Sequence, residues 1–260
     1  MFAHFFSSKR SQSTMEFDKT KVLGRGFSAQ VLSGTFNGEK VAVKRIEKSV
    51  GLNLDKAAQE LEEETMKNLD HPNVLKLLHV QDDNDFKYLC SLILELCVGT
   101  IANYVNGTYK GEMPSEIEGM IQMASGLQYI HSKHFVHRDI KPANVLISST
   151  FVLKISDFGL SRTVTTTSGS FAMTSGPKGT RVYYSPEFLF TEGKTKEEKE
   201  QIRVNVSIDV FSLGCLLRRV VIRLPMEDVQ MKFSLPLVFK KAKRSSMAKW
   251  VYRKTIMHMP

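Results

Sequence analysis

Residues 136–147, Val-His-Arg-Asp-Ile-Lys-Pro-Ala-Asn-Val-Leu-Ile, set a dense polar cluster between two short apolar runs. Val136 on one side and Val145-Leu146-Ile147 on the other read as strands, so the polar residues lie on a loop anchored at both ends. A loop held in this way is suited to chemistry. Asp139 offers a carboxylate that can accept a hydroxyl proton, Lys141 a cation that can neutralise a phosphoryl group in flight, and Asn144 an amide oxygen that can coordinate a metal.

With Ile140 in place of Leu, the stretch resembles the catalytic loop of protein kinases, His-Arg-Asp-Leu-x-x-x-Asn, and Lys141 two residues after Asp139 resembles its serine/threonine form. Upstream, Gly24-Arg25-Gly26-Phe27-Ser28-Ala29 provides two glycines that let the backbone approach a phosphate. Ala29 stands where the kinase pattern has a third glycine. Val31 to Phe36 alternates as a strand, Asn37-Gly38 is a two-residue hairpin signal, and Lys40 to Lys44 returns as the next strand. Lys44 resembles the kinase lysine that reaches the α- and β-phosphates of the nucleotide. Helical periodicity over Asp55 to Asn68 carries Glu60, Glu62, Glu63 and Glu64, one of which is expected to pair with Lys44. Spacing and the inward Met66 and Leu69 favour Glu62, with Glu63 and Glu64 left open.

Leu77 to Val80 and Tyr88 to Leu94 read as strands around a polar turn at residues 81–85. By the resemblance, residues 95–100 are the hinge between lobes. Backbone groups of Glu95 and Cys97 would bond adenine, Leu94 would guard the back of its pocket, and Leu23, Val31, Ala42 and Leu146 would supply apolar walls. Glu116 to His131 is a helix leading into the catalytic loop, and Asp157-Phe158-Gly159 follows a strand at residues 152–155. Asp157 with Asn144 would hold Mg²⁺, and Phe158 would pack with Met66, Leu77 and His137. Residues 161–180 are rich in Ser and Thr; Ser168, Ser170, Thr174 and Ser175 are the expected phosphorylation sites, with Arg138 as the cation for such a phosphate. Thr180 is expected to contact Asp139 and Lys141, and Ser185-Pro186-Glu187 resembles the Ala-Pro-Glu that closes this segment. Residues 191–203 form a charged insertion. The helix that begins near Ser207 carries Asp209, whose family counterpart braces the catalytic loop.

The net charge of +9 is not spread evenly. Residues 218–260 hold eleven Lys or Arg against two Asp or Glu, a surplus equal to that of the whole chain, so residues 1–217 balance. A basic tail on a neutral body suits a solvated helix surface, an acidic partner or membrane headgroups, and no base-reading or stacking motif supports specific nucleic-acid binding. Cys90, Cys97 and Cys215 are odd in number and set among apolar residues, which fits reduced thiols and a cytoplasmic location. No apolar run reaches the length of a membrane span, and residues 1–14 have no secretory-signal order.

The expected architecture is the α+β, bilobal protein kinase fold. Residues 1–16 are a disordered extension, 17–97 an N-lobe with a five-stranded antiparallel sheet and one helix, 98–217 a mainly helical C-lobe, and 218–260 its basic, divergent remainder, shortened against the family. The shortening leaves Glu187 without its family arginine. A buried carboxylate without a cation is costly, so Glu187 must find a partner, take a proton or lie in solvent. Glu95-Leu96-Cys97 with Thr100, residues 175–180 and residues 209–215 resemble, more narrowly, the kinase half of the inositol-requiring kinase/endoribonuclease of the unfolded-protein response. That resemblance implies ATP and Mg²⁺ as cofactors, a Ser/Thr-bearing protein substrate, self-phosphorylation, and a homodimer or a heterodimer with a related kinase. No ribonuclease activity is expected. The competing reading is a nucleotide-binding, catalytically weak module that regulates a related kinase.

Overall fold

The computed structural model describes residues 14–26, 29–47, 54–82, 85, 88–164, 170–172 and 181–222. The chain divides into two units, one made of Met1–Val50 with Leu78–Leu96, the other of Gly51–Leu77 with Cys97–Pro260.

The first unit is built on a five-stranded sheet of β1 (Met15–Arg25), β2 (Ala29–Phe36), β3 (Glu39–Glu47), β4 (Leu77–Asp82) and β5 (Tyr88–Glu95), in the order β1-β2-β3-β5-β4. The β2–β3 hairpin turns at Asn37 and Gly38, with φ of 51° and 85°. Two consecutive positive φ values suit the right-handed twist of a two-residue hairpin, which is why Asn-Gly is found there. Val41, Val43 and Ile93 form a buried cluster on one face of the sheet, covered by Met15, Phe17 and Phe36. The strand therefore starts two residues inside the expected extension. Met15 pairs with Phe36 and Glu16 with Thr35, because burying Met15 and Phe17 repays the ordering of that backbone. Gln81 and Asp82, expected in a turn, are likewise strand residues of β4.

The second unit is mainly helical. It contains α1 (Leu54–Lys67), β6 (Cys97–Thr100), α2 (Ile101–Val105), α3 (Glu116–Ser132), β7 (Phe135–Val136), β8 (Val145–Ser148), β9 (Leu153–Ile155), β10 (Arg162–Thr163), β11 (Phe171–Ala172), α4 (Pro186–Leu189), α5 (Lys196–Glu200), β12 (Arg203–Val204) and α6 (Ser207–Ile222). Ser115 caps α3 by accepting the Glu118 N–H at 3.2 Å, and Glu116 and Glu118 complement the positive end of the helix. Met123, Ala124, Leu127 and Ile130 recur at helical spacing and are buried. Each of the larger ones stabilises the unit by roughly 1.5–3 kcal/mol. Among the described residues no helix is long and apolar enough to cross a membrane.

Residues 51–77, α1 included, group with the second unit, whereas the sequence places 17–97 together. The reason is a set of bonds around Asn73. Ile155 donates its N–H to Asn73 O at 2.9 Å, Leu75 donates to Ile155 O at 2.8 Å, and Asn73 Nδ2 donates to Leu153 O at 3.1 Å. Within the charged stretch 191–203, Thr195 and Glu198 form a capping box that starts α5, and β12 pairs with β11 through Phe171–Val204 and Ala172–Arg203.

Candidate active site

The catalytic-loop residues descend from α3 through β7 and are fixed from below by one carboxylate. Asp209, fully buried in the first turn of α6, accepts the N–H of His137 through Oδ2 and that of Arg138 through Oδ1, each at 2.7 Å. Its Oδ2 also lies 2.9 Å from His131 Nε2. Burial alone would raise the Asp209 pKa. The His131 hydrogen bond, the electrostatic interaction with the His131 and His137 rings and the Arg138 N–H outweigh it and hold the group below its ordinary value. His131 is not legible as a site residue from the sequence. Its only signal is a polar ring in the last turn of an amphipathic helix.

His137 is buried and bridges two parts of the site. Its Nδ1 accepts the Asp139 N–H at 3.2 Å, which leaves Nε2 to donate to Ser156 O at 2.9 Å, and its ring meets Phe158 edge-on at 5.0 Å. Ser156 in turn donates through both N and Oγ to Asn144 O, at 2.9 and 3.0 Å. The catalytic loop and the Asp157-Phe158-Gly159 turn are thus one hydrogen-bonded block.

Within that block the Asp139 carboxylate is divided. Oδ2 accepts Lys141 Nζ at 2.7 Å and Asn144 Nδ2 at 2.8 Å. Oδ1 accepts no hydrogen bond from a described residue. Asn144 Nδ2 also donates to Asp139 O at 2.8 Å, so the amide orientation is set and Oδ1 of Asn144 remains as an acceptor. Asp157 is exposed and adopts φ 66°, a conformation that costs a non-glycine residue about 1–2 kcal/mol. An amide oxygen and a carboxylate are the hard donors that Mg²⁺ takes, and Mg²⁺ is commonly held by one or two carboxylates together with phosphate oxygens. The pair fits that ion. Among the described residues no group of three or more His, Cys, Asp or Glu could hold a metal without such phosphates.

Of the four α1 glutamates, Glu62 is buried, Glu63 pairs with Lys67 and is half-buried, and Glu60 and Glu64 are exposed. A Cβ at Gly159 would lie 3.4 Å from Glu62 Oε2 and 3.7 Å from Asp157 Oδ1. An added methyl group there would be in ordinary van der Waals contact with both carboxylates.

In the first unit, Lys44 sits mid-strand in β3, in register with Val31 and Leu92, and is half-buried. Gly24 pairs in register with Val31, and a Cβ there would meet no atom within 4 Å; at Gly26 the nearest atom would be Ala29 O at 3.7 Å. Among the described residues, neither packing nor a positive φ calls for glycine at these two positions. Leu23 is 51% exposed, Val31 half-buried, and Ala42 and Leu94 buried. Glu95 ends β5. Cys97 begins β6 in register with Ser148, and Leu146 is half-buried in β8.

Ser168, Thr174, Ser175 and Thr180 lie outside the described residues. Ser170 is described: its Oγ accepts Arg203 Nε at 3.1 Å and its carbonyl accepts Arg203 Nη2 at 3.2 Å. Arg138 adopts φ 71° and is buried, with its guanidinium 5.5 Å from the ring centroids of Phe171 and Phe188. Burial, aided by the charge of Arg162, pushes its pKa down to about 10. Glu187 is exposed in the first turn of α4, while Phe188 beside it turns inward. Exposure is thus the outcome realised, and no buried-carboxylate penalty arises. Nor does any local pattern announce Tyr184, whose hydroxyl is buried with no hydrogen-bond partner among the described residues. Burial first, and then the charge of Asp139, push that phenol up to about 12.

A family model described as the protein kinase domain matches residues 17–249. Human serine/threonine-protein kinase/endoribonuclease IRE2 is 32% identical over 210 residues, which cover 78% of this chain and 21% of that protein. The ire-1 kinase/endoribonuclease of Caenorhabditis elegans is 31% identical over 217 residues, or 78% and 20%. Serine/threonine-protein kinase ATG1a of Arabidopsis thaliana is 32% identical over 200 residues, or 74% and 29%. The chain thus spans about a fifth of the two kinase/endoribonucleases it matches.

Proposed function

The chain belongs to the protein kinase family, and on that premise we propose that it is an active serine/threonine kinase, moving the γ-phosphoryl group of ATP to a protein hydroxyl. What supports the reading most is the divided carboxylate of Asp139. With Oδ2 held by Lys141 and Asn144, Oδ1 is the oxygen that takes the acceptor proton as the hydroxyl oxygen bonds to the γ-phosphorus and the bond to the β,γ-bridging oxygen breaks, releasing ADP. Lys141 offsets charge on the moving phosphoryl group. Lys44 contacts the α- and β-phosphates beneath Gly24 and Gly26. Glu95 and Cys97 are the assigned contacts of the adenine edge, and Leu23, Val31, Ala42 and Leu146 its assigned apolar contacts. Mg²⁺, held by Asn144 and Asp157, supplies compensation for the phosphate charge.

The acceptors of this reading include the chain's own Ser168, Ser170, Thr174 and Ser175. The direct test of the transferase reading is label transfer from γ-labelled ATP to a Ser/Thr-bearing acceptor protein, wild type beside Asp139→Asn. Transfer by the wild type, reduced at least a hundredfold in Asp139→Asn, is the expected result. If ATP raises the melting temperature and no label moves, the chain is instead a nucleotide-binding module without catalysis.

A further inference from the structure

A cavity of about 210 Å³ opens in the second unit, lined by Ala102, Val105, Asn106, Lys141, Pro142, Ala143, Tyr183 and Arg219. Four elements meet there: α2, the catalytic loop, the helical turn Arg181–Tyr183 and the last turns of α6. Arg219 reaches it for a helical reason. Ser212 on α6 donates Oγ to Tyr183 O at 2.6 Å, and Arg219 lies seven residues on, two turns along the same face. Arg219 accordingly sits close enough to the Tyr183 phenol to oppose the rise that burial imposes on its pKa.

The described wall carries two cations, Lys141 and Arg219, the Asn106 amide and the Tyr183 phenol, and no Asp or Glu. It begins one side chain from Asp139, since Lys141 Nζ is 2.7 Å from Asp139 Oδ2. A peptide whose hydroxyl reaches Asp139 advances at most about 3.3–3.6 Å per residue, so a side chain one to three positions away falls at the cavity.

We propose that this cavity is a specificity subsite that receives an acidic side chain of the protein substrate, with Arg219 as its discriminating residue. The proposal rests on the transferase reading above. A carboxylate entering the cavity meets a planar guanidinium and an amide N–H, whereas a lysine or arginine there faces the like charge of Arg219, Lys141 being paired with Asp139. Phosphoryl transfer itself is unchanged; the subsite selects which hydroxyl is presented.

The test uses the full chain and peptides with one serine in an alanine-glycine background, carrying Glu, Gln or Lys in turn at each position within three of the serine. At one position Glu should exceed Gln in kcat/KM by about tenfold, with Lys lowest. Arg219→Gln should level Glu with Gln there, and Arg219→Glu should invert the order so that Lys is preferred, a gain that only a folded protein can show. Equal rates for the three series at every position, or a wild-type preference for Lys, would overturn the subsite and leave the kinase reading standing. If no peptide accepts phosphate, the kinase reading fails, and fluorescence anisotropy with the labelled Glu and Lys peptides decides the subsite separately. Tighter Glu binding that Arg219→Glu reverses supports it, and equal binding overturns it.

Discussion

The carboxylate of Asp209 accepts the backbone N–H of Arg138 at 2.7 Å, and Arg138 is held at φ 71°. The left-handed backbone next to Asp139 is therefore kept in place by a fully buried group on another helix, and the cost of that conformation is offset by charge-assisted bonds to two successive N–H groups. Replacing Asp209 with Asn sets an amide against a backbone donor. The variant should lose about 3 kcal/mol in denaturant unfolding, with a parallel loss of any phosphoryl transfer.

The same residue sets a pH dependence. The folded pKa of Asp209 is depressed, so its stabilising contribution is present above the unfolded carboxylate value of about 4 and is lost as pH falls through the lower folded value. Wild-type stability should therefore fall more steeply than that of Asp209→Asn between about pH 4 and the acid transition. Thermal melts across that range would show it, and parallel curves would contradict it.

Much of this arrangement is legible in the sequence because the residues concerned serve backbone geometry or a fixed chemical order. Asn37-Gly38 marks its hairpin since few other pairs tolerate two positive φ values, and the Met120–Ile130 periodicity marks α3 because that face is buried. What stayed hidden depends on contacts made at long range. The β11–β12 pair spans two residues on each side, too short for any alternation to register, and α5 reads Lys-Glu-Glu-Lys-Glu, with no apolar face at all. His131 and Tyr184 acquire their roles from partners 78 and 45 positions away, which no local pattern encodes.

Tyr184→Phe should be neutral or stabilising by up to about 1 kcal/mol, because the hydroxyl it deletes is buried without a partner among the described residues. The ring contact with Phe188, centroids 4.8 Å apart, survives the change. Chemical denaturation distinguishes this from a loss of more than about 1 kcal/mol, which would mean the hydroxyl is satisfied in solution.

Gly126→Ala should destabilise the second unit. A Cβ on this α3 residue would fall 2.5 Å from Asn73 O and 3.0 Å from Asn73 Cβ, and that carbonyl already accepts the Ile155 N–H. Since the obstacle is backbone, relief requires shifting the helix or the Asn73 segment that is bonded to β9. A loss of roughly 1–3 kcal/mol in the melting curve is expected.

Arg45 in β3 is buried, with its guanidinium 3.6 Å from the Tyr88 ring centroid, 4.9 Å from that of Phe17, and 3.6 Å from Asp85 Oδ2. Stacking between two rings uses the planar group, so lysine is not an equivalent here. Arg45→Lys should lower the stability of the first unit by about 1 kcal/mol, and Tyr88→Leu should remove most of the difference between Arg and Lys in a double-mutant cycle.

The most direct measurement is intact-mass analysis of the purified chain after incubation with ATP and Mg²⁺, beside Asp139→Asn and Lys44→Met. Stepwise gains of single phosphoryl groups in the wild type, absent from both variants, are the predicted result, with fragment maps placing them within residues 163–180. An unchanged wild-type mass, or equal gains in Asp139→Asn, would contradict the assignment of Asp139 as the base of a phosphoryl transfer.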